Sequence, residues 1–383
     1  MQILLDYEIL RLIWWVLLGV LLIGFAVMDG FDLGTASVLP FVARTDTERR
    51  VAINAIGPVW DGNQVWLILG GGAIFAAWPM VYAAAFSGFY IAMFLVLATL
   101  ILRPVGFEFR NKMPGSRWRS AWDYALFAGG VVPSLVFGVA IGNLLQGVPF
   151  RIDQDLRIFY DGSGLFELLN PFGLLCGLVS LSMLASHGAA YLALKTTGNV
   201  ADRCRTVASM LPFVTIVLFA LAGVWIALGI SGYSLAGDVD VAGPSNPLLK
   251  TVLRQPGQWL ANYASHPWLM AAPALGFLGA LGLIAASRVA RPLAAFLASA
   301  VSIFGIIATA GVSMFPFLMP SSLDPKASLT VWDASSSRLT LFVMLIATLI
   351  FLPVVLTYTA LVYRVLRGYV TTAQVEADGH KLY

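Results

Sequence analysis

Apolar residues run along this chain in long blocks, separated by short clusters of charge, glycine and proline. Reading the blocks between those clusters predicts nine helices, near residues 10–42, 51–78, 80–104, 121–146, 166–196, 206–231, 267–287, 292–317 and 339–365. Several blocks reach the roughly 20 residues that a helix rising about 1.5 Å per residue needs to cross about 30 Å of hydrocarbon. The alternating segments of about ten residues that mark a transmembrane β-barrel are not seen. The pattern predicts an all-α, polytopic protein of about nine transmembrane helices. Nothing between the helices is long enough to bury a core of its own, so residues 1–383 read as a single integral membrane domain.

Composition strengthens that reading: 59% of the 383 residues are hydrophobic and only 11% are charged, far from the balance of a soluble domain. The first apolar run, 13–27, has the look of a secretory signal, but Asp6 and Glu8 stand where basic residues belong. The run also continues through Asp29 and Asp32 without a small-residue cleavage site, so it is expected to remain as helix one. Cys176 falls in a predicted span and Cys204 in a short basic loop, which excludes a disulfide and shows no metal spacing.

The net charge of +3 is distributed by membrane side. With the N-terminus outside, the outer segments hold Arg11, Arg151, Arg157, Lys250, Arg254, Lys326 and Arg338, while the other 16 of the 23 basic residues, including Lys381, fall inside. That bias predicts an outside N-terminus, a cytoplasmic C-terminus and an odd helix count. It argues against a nucleic-acid surface. The long outer loops 147–165, 232–266 and 318–338 are rich in turn residues and are expected to be ordered turns.

Ionisable side chains inside a span cost several kcal/mol, so each asks for a reason. Asp29 and Asp32 are three residues apart in Met28-Asp29-Gly30-Phe31-Asp32-Leu33-Gly34, on one face of helix one. Counting from Leu10 places them roughly 28 Å along the helix, toward the cytoplasmic side. The run from Leu10 to Val42 exceeds one crossing, so tilt, protrusion or a kink at Gly30 or Gly34 must absorb the excess. In helix two, Trp60-Asp61-Gly62-Asn63-Gln64-Val65-Trp66 puts Asp61 roughly 15 Å past Val51, near the midplane, just after Gly57-Pro58. Two readings stay open. The polar residues are interhelical glue, or they form a proton pathway with Asp29 and Asp32 at its start, Asp61 as a deeper relay and Trp60, Asn63 and Gln64 as a supporting cluster.

Trp14, Trp15 and Trp78 read as aromatic-belt residues. Asn143 and Gln146 line a polar pocket or make ordinary helix-end hydrogen bonds. Glu108 follows Arg103 in a basic loop, where a solvated ion pair is expected. Haem ligation usually takes His or Met at membrane depth. The three histidines are His187 in helix five, His266 in an outer loop and His380 in the tail. One axial ligand at His187 is geometrically open, and a packed histidine is the simpler reading. With no nucleophile and base, phosphate loop or metal spacing, the chain alone reads as having no catalytic, cofactor-binding or metal-binding residues.

The residues do resemble a family. Asp6-Tyr7-Glu8 with Arg11 and Trp14-Trp15, the Met28 to Gly34 motif, Asp46-Thr47-Glu48-Arg49-Arg50 and the Trp60 to Trp66 motif resemble subunit II of cytochrome bd-type ubiquinol oxidases. So do Phe75-Ala76-Ala77-Trp78-Pro79, Arg103-Pro104, Gly142 to Phe150, Phe315-Pro316-Phe317 and Trp332-Asp333. The likeness is densest before residue 150 and weakest over 196–265. It implies a bacterial inner-membrane complex of two four-helix bundles plus a peripheral helix per subunit, reducing oxygen to water with ubiquinol. It also implies that a partner, subunit I, carries haems b and d, that this chain binds none, and that a small single-helix subunit, lipids and quinone are further partners. Its share of a proton pathway is carried onto Asp29, Asp32 and Asp61. The alternative is a secondary transporter using the same carboxylates as ion-coupling groups, although the second half holds no counterpart of the helix-two motif. A purely structural scaffold is a third reading.

Overall fold

The computed structural model describes residues 5–161, 164–237 and 239–377, so His380 and Lys381 lie outside the described residues. Among the described residues eight helices are long and apolar enough to cross a membrane: Tyr7–Val42, Tyr90–Phe109, Ser116–Gln146, Pro171–Lys195, Gly198–Leu228, Pro267–Arg288, Pro292–Met314 and Arg338–Val365. A further crossing is made in two pieces, Asp46–Ile56 and Trp60–Ala77. Its second piece has 18 residues, about 27 Å of rise, but its polar first turn lowers its hydropathy below that of the other spans. In chain order these are span one (Tyr7–Val42), span two (Asp46–Ile56 with Trp60–Ala77), span three (Pro79–Gly88 with Tyr90–Phe109), and spans four to nine from Ser116 to Val365.

Local sequence explains the boundaries. Span two opens with a capping box: Thr45 Oγ1 accepts from the Glu48 amide at 3.2 Å, and the Glu48 carboxylate accepts from the Thr45 amide at 3.1 Å. Its break at Gly57–Val59 follows the Gly57-Pro58 pair, where proline removes a donor. The interruption in span one falls at Asp29, beside Gly30, one of the two glycines at which a kink is one way to absorb the excess length.

Span five (Pro171–Lys195) is central, packing against span four, span six, span eight and the Gly30–Val42 half of span one. Its crossing with span one is backbone on backbone. A Cβ on Gly34 would collide with the Leu184 carbonyl oxygen, and one on Gly188 with the Gly34 backbone, so only glycine permits this approach. Spans seven and eight pair closely and lean on span six. Span nine (Arg338–Val365) packs on the Tyr7–Met28 half of span one and on the Trp60–Ala77 piece of span two and is otherwise exposed. The arrangement fits two four-helix groups with one peripheral helix.

Two expectations need correction. Cys204 lies buried inside span six (Gly198–Leu228), which begins before the basic cluster rather than after it. Arg103 is fully buried and bonds to Asp29 rather than forming a solvated pair with Glu108. The loops 147–165, 232–266 and 318–338 also hold more than turns. They form three two-stranded antiparallel hairpins: Phe150–Ile152 with Ile158–Tyr160, Ser231–Ala236 with Thr251–Pro256, and Phe317–Met319 with Leu329–Thr330.

These loops are tied to the start of span one. The buried Arg11 guanidinium donates to Val241 O at 2.6 Å, Gly243 O at 3.0 Å, Ser245 Oγ at 3.0 Å and Ser335 Oγ at 2.7 Å, and lies 3.6 Å over the Tyr7 ring. On the other side, the Val370 amide donates to Lys195 O at 2.8 Å and the helix Thr372–Ala377 packs on Asp46–Ile56. The N-terminal end of span one therefore shares a side with the 229–266 and 315–337 loops, and the C-terminal segment shares a side with 43–50. Cysteines placed at exposed Ser116 and at exposed Ala242 are predicted to react with an impermeant thiol reagent from opposite faces of the membrane, Ser116→Cys from the cytoplasm. Labelling of both from one face would refute this sidedness.

Candidate functional site

Span one brings Asp29 and Asp32 into the protein interior, and span three brings Arg103 to meet them. All three side chains are fully buried. Arg103 grips Asp29 with two parallel bonds, Nη1 to Oδ2 at 3.0 Å and Nη2 to Oδ1 at 2.7 Å, the fork geometry that makes arginine the fitting partner for a buried carboxylate. Room for it comes from Gly129 of span four, where an added Cβ would sit 3.1 Å from Arg103 Cγ. Arg103 Nη2 is 4.0 Å from Asp32 Oδ2, so one guanidinium serves two carboxylates.

Asp32 Oδ2 instead takes its hydrogen bond from Asn63 Nδ2 of span two, at 2.8 Å. Asn63 Oδ1 in turn accepts from the Tyr363 hydroxyl of span nine at 2.7 Å. Four spans are thereby joined through one polar string. Asp32 Oδ1, Arg103 Nε and Thr35 Oγ1 are buried with no hydrogen-bond partner. A buried carboxylate oxygen left unpaired costs several kcal/mol unless something else satisfies it. It is thus the atom of the cluster that a proton or a water molecule would serve.

The structure brings together part of the set expected from sequence. Asp29, Asp32 and Asn63 meet; Asp61 does not join them. It lies exposed in the first turn of Trp60–Ala77, where a carboxylate also suits the positive end of the helix dipole. Trp60 is half-buried with its ring 5.5 Å from that of Phe107, and Gln64 is half-buried. Sequence reading missed the role of Arg103, having ended helix three at its neighbour, although a charged residue closing an apolar run was the signal. Tyr363 carried no signal among the aromatic residues of span nine.

His187 is fully buried and both ring nitrogens are engaged, Nδ1 with Ser299 Oγ at 2.6 Å and Nε2 with Val27 O at 2.9 Å, while the ring stacks on Phe296 at 4.7 Å. An imidazole held on both nitrogens does not fit axial haem ligation. Among the described residues no group of three or more His, Cys, Asp or Glu side chains could hold a metal ion. Asn143 donates to Val139 O and Leu168 O, each at 2.8 Å, and Gln146 donates to Asn170 Oδ1 at 2.7 Å, which is helix-end bonding.

The family model for cytochrome bd terminal oxidase subunit II matches residues 10–366. The chain is 54% identical to cytochrome bd-I ubiquinol oxidase subunit 2 of Escherichia coli (strain K12), over 99% of this chain and all of that one. It is 32% identical to cytochrome bd ubiquinol oxidase subunit 2 of Bacillus subtilis (strain 168), over 90% and 92% of the two chains. A chain of the solved bd oxidase from Geobacillus thermodenitrificans shares the fold, with a TM-score of 0.66 at 16% identity over 93% of this chain and 98% of that one. With a family model spanning most of its length and relatives that align along nearly all of it, the chain belongs to the cytochrome bd terminal oxidase subunit II family.

Proposed function

We propose that this chain is the haem-free second subunit of a bacterial inner-membrane quinol oxidase, supporting a haem-bearing subunit I and carrying part of a proton pathway from the cytoplasm. Membership of the family makes it a component of a quinol oxidase complex, and the transporter reading has no support beside it. Haems b and d belong to the partner in this account, and ubiquinol is a substrate of the complex. A small single-helix subunit, lipids and quinone complete the proposed partners. The engaged nitrogens of His187 support the absence of haem here.

Reducing one dioxygen to two waters consumes four electrons, drawn from two quinols, and four protons. The observation that carries the pathway reading is the buried Asp29–Arg103–Asp32 cluster, with one carboxylate oxygen left unpartnered. Interhelical glue is made more cheaply by amides and hydroxyls than by carboxylates. Two carboxylates against one guanidinium form a site where proton uptake and release change the charge by one unit. Asp61, exposed at the start of Trp60–Ala77, is the carboxylate through which the pathway continues toward a neighbouring subunit.

Two measurements test this. A pyridine haemochrome assay on the purified single chain is predicted to find no stoichiometric haem, and finding it would refute the haem-free assignment. Asn keeps the size and one acceptor of Asp but cannot cycle a proton. Asp32→Asn and Asp61→Asn are therefore predicted to leave the assembled complex and its haem spectrum intact, while oxygen uptake driven by excess quinol falls by about tenfold or more. Parent-level uptake in either assembled variant would make that carboxylate structural.

A further inference from the structure

A cavity of about 630 Å³ opens on the side of the C-terminal segment. It lies between the break in span two, the inner end of span five and the end of span nine with the residues that follow it. Pro58, Tyr191, Lys195, Tyr363, Gly368 and Gln374 are among its lining residues. Pro58, Gly368 and Gln374 are exposed, whereas Tyr363 is half-buried. The volume far exceeds the ~10–15 Å³ that one water needs. The lining is also polar enough to order water: the Tyr191 hydroxyl donates to Ala55 O at 3.0 Å and the Lys195 ammonium to Leu366 O at 2.8 Å.

What sets this cavity apart is that one of its lining side chains is two hydrogen bonds from a buried carboxylate. Tyr363 lines it and donates to Asn63 at 2.7 Å, and Asn63 donates to Asp32 at 2.8 Å. A carboxamide passes protons poorly, because its N–H is not acidic and its oxygen is only weakly basic. The Tyr363–Asn63–Asp32 string is therefore a holder rather than a wire. It fixes Asp32 Oδ2 and leaves Oδ1 as the atom without a partner.

We infer that this cavity is the aqueous mouth through which protons reach Asp32, and that Tyr363, acting through Asn63, is a positioning residue that holds the carboxylate ready to receive them. The inference rests on the proton-pathway reading and adds where the pathway begins. The helix break at Gly57–Val59 lies at this mouth: Asn54, Ala55, Pro58 and Val59, on both sides of the break, line the cavity.

The test uses the assembled oxidase carrying Gln374→Cys, an exposed rim position. Oxygen uptake with excess quinol is measured before modification by a bulky methanethiosulfonate, after it, and after the adduct is removed with dithiothreitol. The parent complex, with its own Cys176 and Cys204, is treated in parallel. Uptake is expected to fall severalfold on modification, to recover on reduction, and to fall less with a methyl-sized reagent. Tyr363→Phe, which keeps the ring, is expected to slow uptake and raise its H₂O/D₂O ratio with the haem spectrum unchanged. Unchanged uptake in the plugged complex, alongside a slow Asp32→Asn variant, overturns the mouth and leaves the pathway standing. Full activity of assembled Asp32→Asn removes both. Parent uptake and isotope ratio in Tyr363→Phe overturn the positioning role.

Discussion

A guanidinium buried without exposed surface must find its counter-charges in the protein, and in this chain Arg103 finds them on span one. The two bonds to Asp29, with Asp32 4.0 Å away, tie the middle of the first span to the end of the third. Burying an ion pair seldom adds much net stability, but removing one member leaves an orphan charge at a cost of about 3–5 kcal/mol. The pair therefore acts mainly as a constraint: it fixes which helix faces meet and at what depth. Gly129, which leaves room for Arg103, and the close crossing of Gly34 on Gly188 serve the same juncture from the neighbouring spans.

Around that juncture the two sides of the protein are built differently. The side of the C-terminal segment is held by arginine–carboxylate pairs, with Arg49 and Arg110 on Asp123, Arg110 and Arg119 on Asp46, and Arg203 on Glu48. The side of the N-terminus is held by hairpins, by the Arg11 pin, whose partners are largely carbonyls and hydroxyls, and by one buried pair, Lys250 with Asp333 at 2.9 Å. Glu48 also accepts from the Arg44 amide at 2.7 Å and the Thr45 amide at 3.1 Å, so its carboxylate joins the start of span two to Arg203 of span six.

The architecture was largely readable from hydropathy, because a span must be apolar over its whole length wherever it packs. The break in span two was readable from Gly57-Pro58, a local backbone signal. The site was readable only in part. Asp29 and Asp32 stand out as charges in an apolar run, but nothing local says that Arg103, 74 positions beyond Asp29, turns inward rather than toward water. Tyr363 is 300 positions from Asn63, and contacts at such separations follow from how the helices pack. The same limit explains Asp61: its depth was estimated from sequence, but the face it occupies depends on which neighbours cover the helix. The hairpins went unforeseen because each pairs only short strands within loops whose composition speaks first of turns.

The central claim is that Arg103 and Asp29 satisfy each other in the membrane interior and that the fold depends on neither being left alone. Thermal unfolding of the purified complex, compared for the parent, Arg103→Gln and Arg103→Gln with Asp29→Asn, tests it most directly. The account predicts that Arg103→Gln loses about 3–5 kcal/mol and assembles poorly, and that the double variant, which replaces the ion pair with two amides, recovers most of the loss. Parent-like assembly and melting of Arg103→Gln alone would contradict it.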